Sequence, residues 1–342
     1  MQLALAPIKL KLLLLIVGLV AGLLVALPLV YYFLLRNDGT HYSTVGELRA
    51  VLNQNPPDPK ASGNAAGSTV NLRSLIEAHP NDELIYVLRP NLDLTFQRVP
   101  VKTNSFGMRN RETTLAKPEG SFRVALLGDS FAFGWGVEED KIFARVLEQR
   151  LAEAMGKPVE VLNFGVPGYS TFQEYAQYVE IGAKFSPDAV LVYFVENDWG
   201  LPYFLARSEP DSPLMTATDF ARAVWNRKTE EAAKERDFYY GIMNPNDALR
   251  KLATFTEERG TKLFVAINPG KKYASDFKRL HVLRKNLNLQ HLPLLEPTLK
   301  TIQERQIPPE ALSLARDPHP SALKHEILGT LLAQGIYQAL DQ

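Results

Sequence analysis

Gly128-Asp129-Ser130 lies where a short apolar run, Val124 to Leu127, stops, ahead of a helical pattern that sets in from about Lys141. The order implied is a buried strand, a tight turn and a helix. A serine in such a turn is held at the strand's C-terminal edge, close to helix-terminal N–H groups that can stabilise a developing anion. The same residues are also ordinary material for a turn followed by an N-cap, and the tripeptide alone does not choose between the two. Three other stretches carry unusual residues: Asn163-Phe164-Gly165-Val166-Pro167-Gly168-Tyr169-Ser170, Glu196-Asn197-Asp198 and Asp317-Pro318-His319-Pro320. A serine hydroxyl is a poor nucleophile until an adjacent base takes its proton. Of the six histidines only His319 sits in an Asp-x-His-Pro context; His281 and His291 have no partner motif, and His325 reads as a surface or core residue. There is no HExxH, phosphate loop, calcium loop or dinucleotide fingerprint, so neither metal nor cofactor is expected. A G-x-S-x-G elbow is also missing, which disfavours the other large α/β serine-hydrolase fold.

The elements that must position these residues alternate. Val124–Leu127, Val159–Phe164, Ala189–Val195 and Lys262–Ile267 read as strands. Between and after them, helical spacing runs through Phe143, Val146, Leu147, Leu151 and Met155, then Phe172 to Phe185, Asp247–Arg259 and Ser321–Leu340. Short apolar strands separated by single helices predict a parallel sheet covered on both faces, with right-handed crossovers. In such a sheet ligands bind beyond the C-terminal strand ends, which is where the first three stretches fall; the fourth precedes the last helix. Trp199 to Asn246 interrupts the alternation and predicts a helical insertion over the strand ends.

Upstream, Leu12 to Leu35 carries no charged residue, and a membrane-spanning helix needs roughly 20 apolar residues. Lys9 and Lys11 precede the run and no acidic residue does, so the N-terminus is expected to stay in the cytoplasm and the chain after Arg36 to be exported. The run ends in Tyr31, Tyr32 and Phe33, which suit a membrane interface better than a cleavage site; a cleaved signal peptide is the competing reading. This divides the chain into a cytoplasmic stub and anchor (1–36), a Pro-, Gly- and Ser-broken linker or stalk (37–82), with short helices near Val45–Asn53 and Leu72–Ala78, a small β extension (83–120) and a main domain (121–342) with its insertion at about 199–246. The formal net charge is zero, so nothing suggests a nucleic-acid partner. The absence of cysteine excludes disulfides, thiolate catalysis and cysteine-ligated zinc.

The four stretches, in this order, resemble the SGNH/GDSL hydrolases in their bacterial membrane-anchored form. The resemblance runs from about Asn104 to the C-terminus, and Asn104-Ser105-Phe106-Gly107-Met108-Arg109 is similar to a stretch found in such anchored members. It implies a three-layer α/β/α, flavodoxin-like fold. It also implies a serine nucleophile, Ser130, with His319 as base and Asp317 as the carboxylate that orients it. The oxyanion hole would be built from the Ser130 and Gly168 N–H groups and the Asn197 amide. Asp129 and Asp198 are read as structural acceptors, and Arg109 as a structural ion-pairing residue, with a reach into the site from the extension as the alternative. Two positions depart from the family pattern. Val195 stands where glycine is usual. Arg316 occupies the position three before the histidine, so the aspartate falls two before it, a spacing resembling that of alginate O-acetyltransferases. The implied activity is that of an exported, membrane-tethered serine esterase working in the periplasm on an ester-bearing small molecule or an O-acylated polysaccharide. The alternatives are an O-acetyltransferase or deacetylase of a cell-surface polysaccharide, and a non-catalytic carbohydrate-binding or assembly protein. Trp199, Tyr203, Phe204 and Trp225 of the insertion are candidate substrate-lining residues.

Overall fold

A computed structural model describes Val70, 72–200 and 243–341. The chain divides into two units, Met1–Tyr42 and Ser43–Gln342, and every described residue belongs to the second. The expected anchor, most of the expected stalk, and Tyr203, Phe204 and Trp225 lie outside the described residues. Among the described residues no helix is long and apolar enough to cross a membrane.

The central sheet has five parallel strands: β5 (Phe122–Gly128), β6 (Val159–Asn163), β7 (Ala189–Phe194), β8 (Lys262–Ile267) and β9 (Gln290–Leu292), in the order β6-β5-β7-β8-β9. Alternate residues of each strand face opposite layers. Val124, Leu126, Leu191 and Tyr193 pack with Phe143, Leu147, Leu328 and Leu332, which come from helices α2 (Phe143–Met155) and α7 (Ala322–Leu340). Ala125, Leu127, Val190 and Val192 pack with Tyr178, Leu249 and Leu252, from helices α3 (Thr171–Glu180) and α4 (Pro245–Glu257). Both faces are therefore covered, and β5 and β7 are buried along their whole length, which is why they read as continuous apolar runs. Helices α5 (Tyr273–Arg279) and α6 (Leu295–Glu304) complete the second half.

This is the expected α/β fold with a mainly parallel sheet. The chain leaves β5 for β6 on one side and returns to β7 on the other, so the winding reverses between β5 and β7. That is the switch point where doubly wound sheets bind ligands. Sequence patterning found four of the five strands; β9 is three residues long, two of them polar, and too short to show a period.

Two antiparallel pairs precede the sheet: β1 (Ile76–Ala78) with β2 (Tyr86–Leu88), and β3 (Asp93–Phe96) with β4 (Val99–Lys102). The helix expected near Leu72–Ala78 is a short 3-10 turn, Leu72–Leu75, running straight into β1. Val70, Leu72, Leu75 and Ile76 are buried, so ordered packing begins well before Glu83. The apolar residues there were masked in the sequence by their Pro- and Gly-rich surroundings.

Candidate active site

The last residue of β5, Gly128, is followed by Asp129 and by α1 (Ser130–Phe133), a single helical turn. Asp129 caps that turn, its Oδ1 accepting the Phe131 N–H at 2.9 Å. The turn closes at Gly134, whose N–H, like that of Trp135, donates to the Ser130 carbonyl at 3.1 Å. Ser130 is thus fixed at the first helical position, 7% exposed, with its hydroxyl at the rim of the sheet.

From 189 residues away, His319 Nε2 comes within 2.8 Å of Ser130 Oγ. The other ring nitrogen, Nδ1, is 2.6 Å from Asp317 Oδ1. Asp317 is ionised, so Nδ1 carries the hydrogen and donates, leaving the Nε2 lone pair facing the serine hydroxyl. The two-residue spacing has a local cause. Asp317 Oδ1 also accepts the backbone N–H of His319 at 2.9 Å, so one carboxylate oxygen grips both the main chain and the ring of the same residue. The loop is pinned at its base by Leu314 N–H to His319 O and by a bridge between Ser313 and Pro320. Partial burial pushes the Asp317 carboxyl up, but the hydrogen bonds from the His319 N–H and ring, the His319 charge and the Trp135 indole outweigh it. The net position is below the usual carboxylate range.

Trp135 was not anticipated as a site residue. Its ring stacks on the His319 imidazole, centroids 4.8 Å apart and planes 11° from parallel, and its Nε1–H donates to Asp317 Oδ2 at 3.2 Å. Phe131 lies 5.3 Å from the imidazole.

The second stretch forms the next wall. Phe164 N–H donates to Leu126 O and Val166 N–H to Gly128 O, which prolongs the sheet register up to the nucleophile turn. Asn163, fully buried, donates its amide to Ala132 O at 2.9 Å and accepts Gly165 N–H at 3.0 Å, tying the loop to α1. Gly165 packs so closely on α1 that a Cβ would stand 2.4 Å from Phe133 N. Val166-Pro167-Gly168-Tyr169 is a turn closed by Tyr169 N–H to Val166 O, with Gly168 at φ +80°, a conformation that Pro-Gly favours. This turn is held from behind by the extension: Tyr86 OH donates to Pro167 O at 3.2 Å, Tyr169 OH to Tyr86 O, and Gln173 Nε2 to Leu84 O at 2.8 Å.

Asn197 lies in the short 3-10 turn after β7, exposed, with its Nδ2 donating to Asp129 Oδ2 at 2.8 Å. Ser130 Oγ is 3.3 Å from that same oxygen, so Asn197 stands beside the serine with one amide hydrogen engaged by Asp129. Asp129 and Asp198 are acceptors, as expected; Asp198 Oδ2 takes the Val195 N–H at 3.0 Å. Together with Glu174 of α3 they form a fully buried group of three carboxyls. Burial raises all three, and each is raised further by another member or held down by its donors. Asp129 accepts from the Phe131 N–H and the Asn197 amide whereas neither Glu174 oxygen has a partner among the described residues, so Asp129 is the member best able to carry charge.

One expectation is corrected. Among the described residues Arg109 serves no ion pair: its guanidinium is fully buried and donates to the carbonyls of Phe133 (3.0 Å), Gly134 (2.6 Å), Val137 (2.6 Å) and Pro100 (3.4 Å), capping the exit of α1. Its pKa is lowered to about 10, because burial outweighs the pull of Glu139. Trp199 packs against α5: its Nε1–H donates to Asp276 Oδ1 at 3.0 Å and Arg279 lies 3.7 Å over its ring. His325 is a core residue whose Nδ1 accepts the Phe143 N–H at 3.0 Å, satisfying the first amide of α2. Burial, with nearby Arg109, lowers it to about 3, so it is neutral. A cavity of about 210 Å³ lies between the extension and α3, lined by Glu77, Phe106, Phe164, Val166 and Gln177, and does not include Ser130. Among the described residues no group of three or more His, Asp or Glu is arranged to hold a metal ion.

Residues 126–291 match the model of the GDSL-like Lipase/Acylhydrolase family. The matched segment contains Ser130, Gly168 and Asn197 and ends before Asp317 and His319. In that segment the chain is similar to the GDSL/SGNH hydrolases. Among curated proteins nothing matches. Solved structures similar to the chain include a two-domain esterase active on acetylated mannans (12% identity, TM-score 0.42, 65% of this chain and 50% of that one). Others are a catalytic mutant of an acetylxylan esterase from Geobacillus stearothermophilus (18%, TM-score 0.41, 64% and 96%) and the lipase/acylhydrolase from Enterococcus faecalis (17%, TM-score 0.38, 64% and 96%). This chain therefore spans half the length of the first of these.

Proposed function

We propose that the chain is a serine esterase of the GDSL/SGNH family, tethered to the membrane by Leu12–Leu35 with its catalytic part exported. The observation that carries the reading is the relay of Ser130 Oγ, His319 Nε2 and Asp317 Oδ1 at 2.8 and 2.6 Å. Ser130 Oγ attacks the ester carbonyl while His319 Nε2 takes its proton, and Asp317 stabilises the imidazolium so formed. The tetrahedral oxyanion receives hydrogen bonds from the Ser130 and Gly168 N–H groups and from the Asn197 amide. His319 returns the proton to the departing alkoxide, leaving an acyl-serine and free alcohol. Water, deprotonated by the same histidine, then releases the acid and restores the hydroxyl. An acceptor sugar hydroxyl in place of water would give acyl transfer from the same intermediate. The two-residue spacing of Asp317 and His319 is the feature that favours that second reading.

Labelling the full-length protein with a fluorophosphonate probe tests this. The native protein is expected to label in the membrane fraction and Ser130→Ala not at all. Equal labelling of the two would remove Ser130 from the nucleophile's role. A labelled band confined to the soluble fraction would leave the serine in place and refute the tether.

A further inference from the structure

The Trp135 side chain touches both His319 and Asp317. Its indole face covers the imidazole, and its N–H takes the carboxylate oxygen that the histidine leaves free. Its own backbone N–H donates to the carbonyl of Ser130 at 3.1 Å, and Phe96 of β3 stands against the indole edge to face, centroids 4.7 Å apart. The indole is therefore registered to the nucleophile's main chain on one side and to the acid–base pair on the other, although His319 and Asp317 arrive on a loop from the far end of the sequence.

We propose that Trp135 is a positioning residue that locks the imidazole plane and the carboxylate rotamer in line with Ser130 Oγ; this rests on the esterase reading of the same site. The physical reason lies in the donor chemistry. An indole N–H donates and never accepts or titrates in the working range, so it can satisfy Asp317 Oδ2 without offering the carboxylate a competing proton. By sharing the carboxylate's charge it also moderates how strongly Asp317 holds the imidazolium. Without that bond Asp317 can rotate and present either oxygen, and the remaining charge concentrates on Oδ1. The titratable groups facing His319 are Asp317 on its own loop, Asp129 beyond the end of β5, and His325 on α7, which burial keeps neutral.

The sign of the effect follows. Trp135→Phe keeps a ring against the imidazole and removes the hydrogen bond, so the imidazolium is held more tightly. The full-length protein carrying ¹³C-labelled histidine is titrated by NMR, with the His319 signal identified by its loss in His319→Gln. The His319 midpoint is expected to rise by about 0.5–1 pH unit in Trp135→Phe, the order of one hydrogen bond's ordinary net strength. Fluorophosphonate labelling should then fall by up to about three- to tenfold in acid, the ceiling that a shift of that size sets, and much less in alkali. Trp135→Leu, an apolar side chain with no hydrogen-bonding group, is the second variant should the phenylalanine fail to fold. A midpoint unchanged or lowered in whichever folded variant is measured overturns the proposal. The titration reads Trp135 independently of turnover, so a native protein that fails to label refutes the esterase reading and leaves this test standing.

Discussion

At the scale of single residues, the site turns on who receives each hydrogen. Ser130 has one hydroxyl hydrogen and two acceptors in view, His319 Nε2 at 2.8 Å and Asp129 Oδ2 at 3.3 Å. The shorter contact points the proton toward the base. Asp129 Oδ2 is in turn supplied by Asn197, so the proposed oxyanion donor is oriented by the residue next to the nucleophile. Replacing Asn197 by Ala removes both functions at once. We expect kcat for a small ester to fall about 10²–10³-fold with KM little changed, the behaviour of a donor engaged mainly in the transition state. Steady-state kinetics on a p-nitrophenyl ester measure it, and a rise in KM with kcat intact would make Asn197 a substrate contact instead.

At the scale of elements, α1 is too short to hold itself. One helical turn closes few internal hydrogen bonds, and its exit carbonyls would be orphaned in a buried place. Arg109 reaches in from the extension and satisfies those of Phe133 and Gly134, together with Val137 just beyond. Asn163 takes the carbonyl of Ala132. Arg109→Met is expected to destabilise the fold by roughly 2–5 kcal/mol, since several buried acceptors lose their donor together. Arg109→Lys should recover less than half, because one ammonium cannot span carbonyls that a planar fork reaches. Urea denaturation reads both, and a lysine variant as stable as the native protein would show that charge alone suffices. Much of the framework was legible in the sequence. Apolar runs marked β5, β6, β7 and β8, and the motifs at their ends singled out Ser130, Gly168 and Asn197, with His319 and Asp317 before the last helix. What was not legible depends on contacts between distant segments. Arg109 looked like half of an ion pair because nothing local says that its partners are carbonyls. Trp135 looked like one more aromatic residue because its partners lie beyond residue 300. The contact of Trp199 with α5 was hidden because that helix left no clear periodic signal.

At the scale of the whole molecule, the three elements that meet near the nucleophile each deliver a buried carboxyl: Asp129 after β5, Glu174 from α3 and Asp198 after β7. Glu174 and Asp198 are raised well above their ordinary values, first by burial and then by the neighbouring carboxyls. Their folded-state pKa values exceed those of the unfolded chain. The native state therefore holds protons that the unfolded state releases, and stability falls as pH rises above the ordinary carboxylate range. Each such proton contributes a slope of about 1.4 kcal/mol per pH unit until the folded group itself ionises. Glu174→Gln removes one of them. The thermal midpoint of the native protein is expected to drop more steeply between pH 5 and pH 8 than that of Glu174→Gln, with the variant the more stable at pH 8. Parallel curves in calorimetry would show that Glu174 finds a compensating charge. The same cluster shapes the field around Ser130, since any further ionisation there would set negative charge beside the oxyanion the site is proposed to hold.

The separation of 189 residues between Ser130 and His319 carries a consequence for how the protein comes into being. As the chain is synthesised, β5, α1 and the Gly168 turn can be made and packed while the histidine and its aspartate do not yet exist. The serine is inert in that interval, having no base. It gains one only when the 313–320 loop closes over Trp135 and α7 docks against α2. On the proposed reading, reactivity toward an acylating probe would report that this loop has closed, and a partly made chain would carry its serine harmlessly.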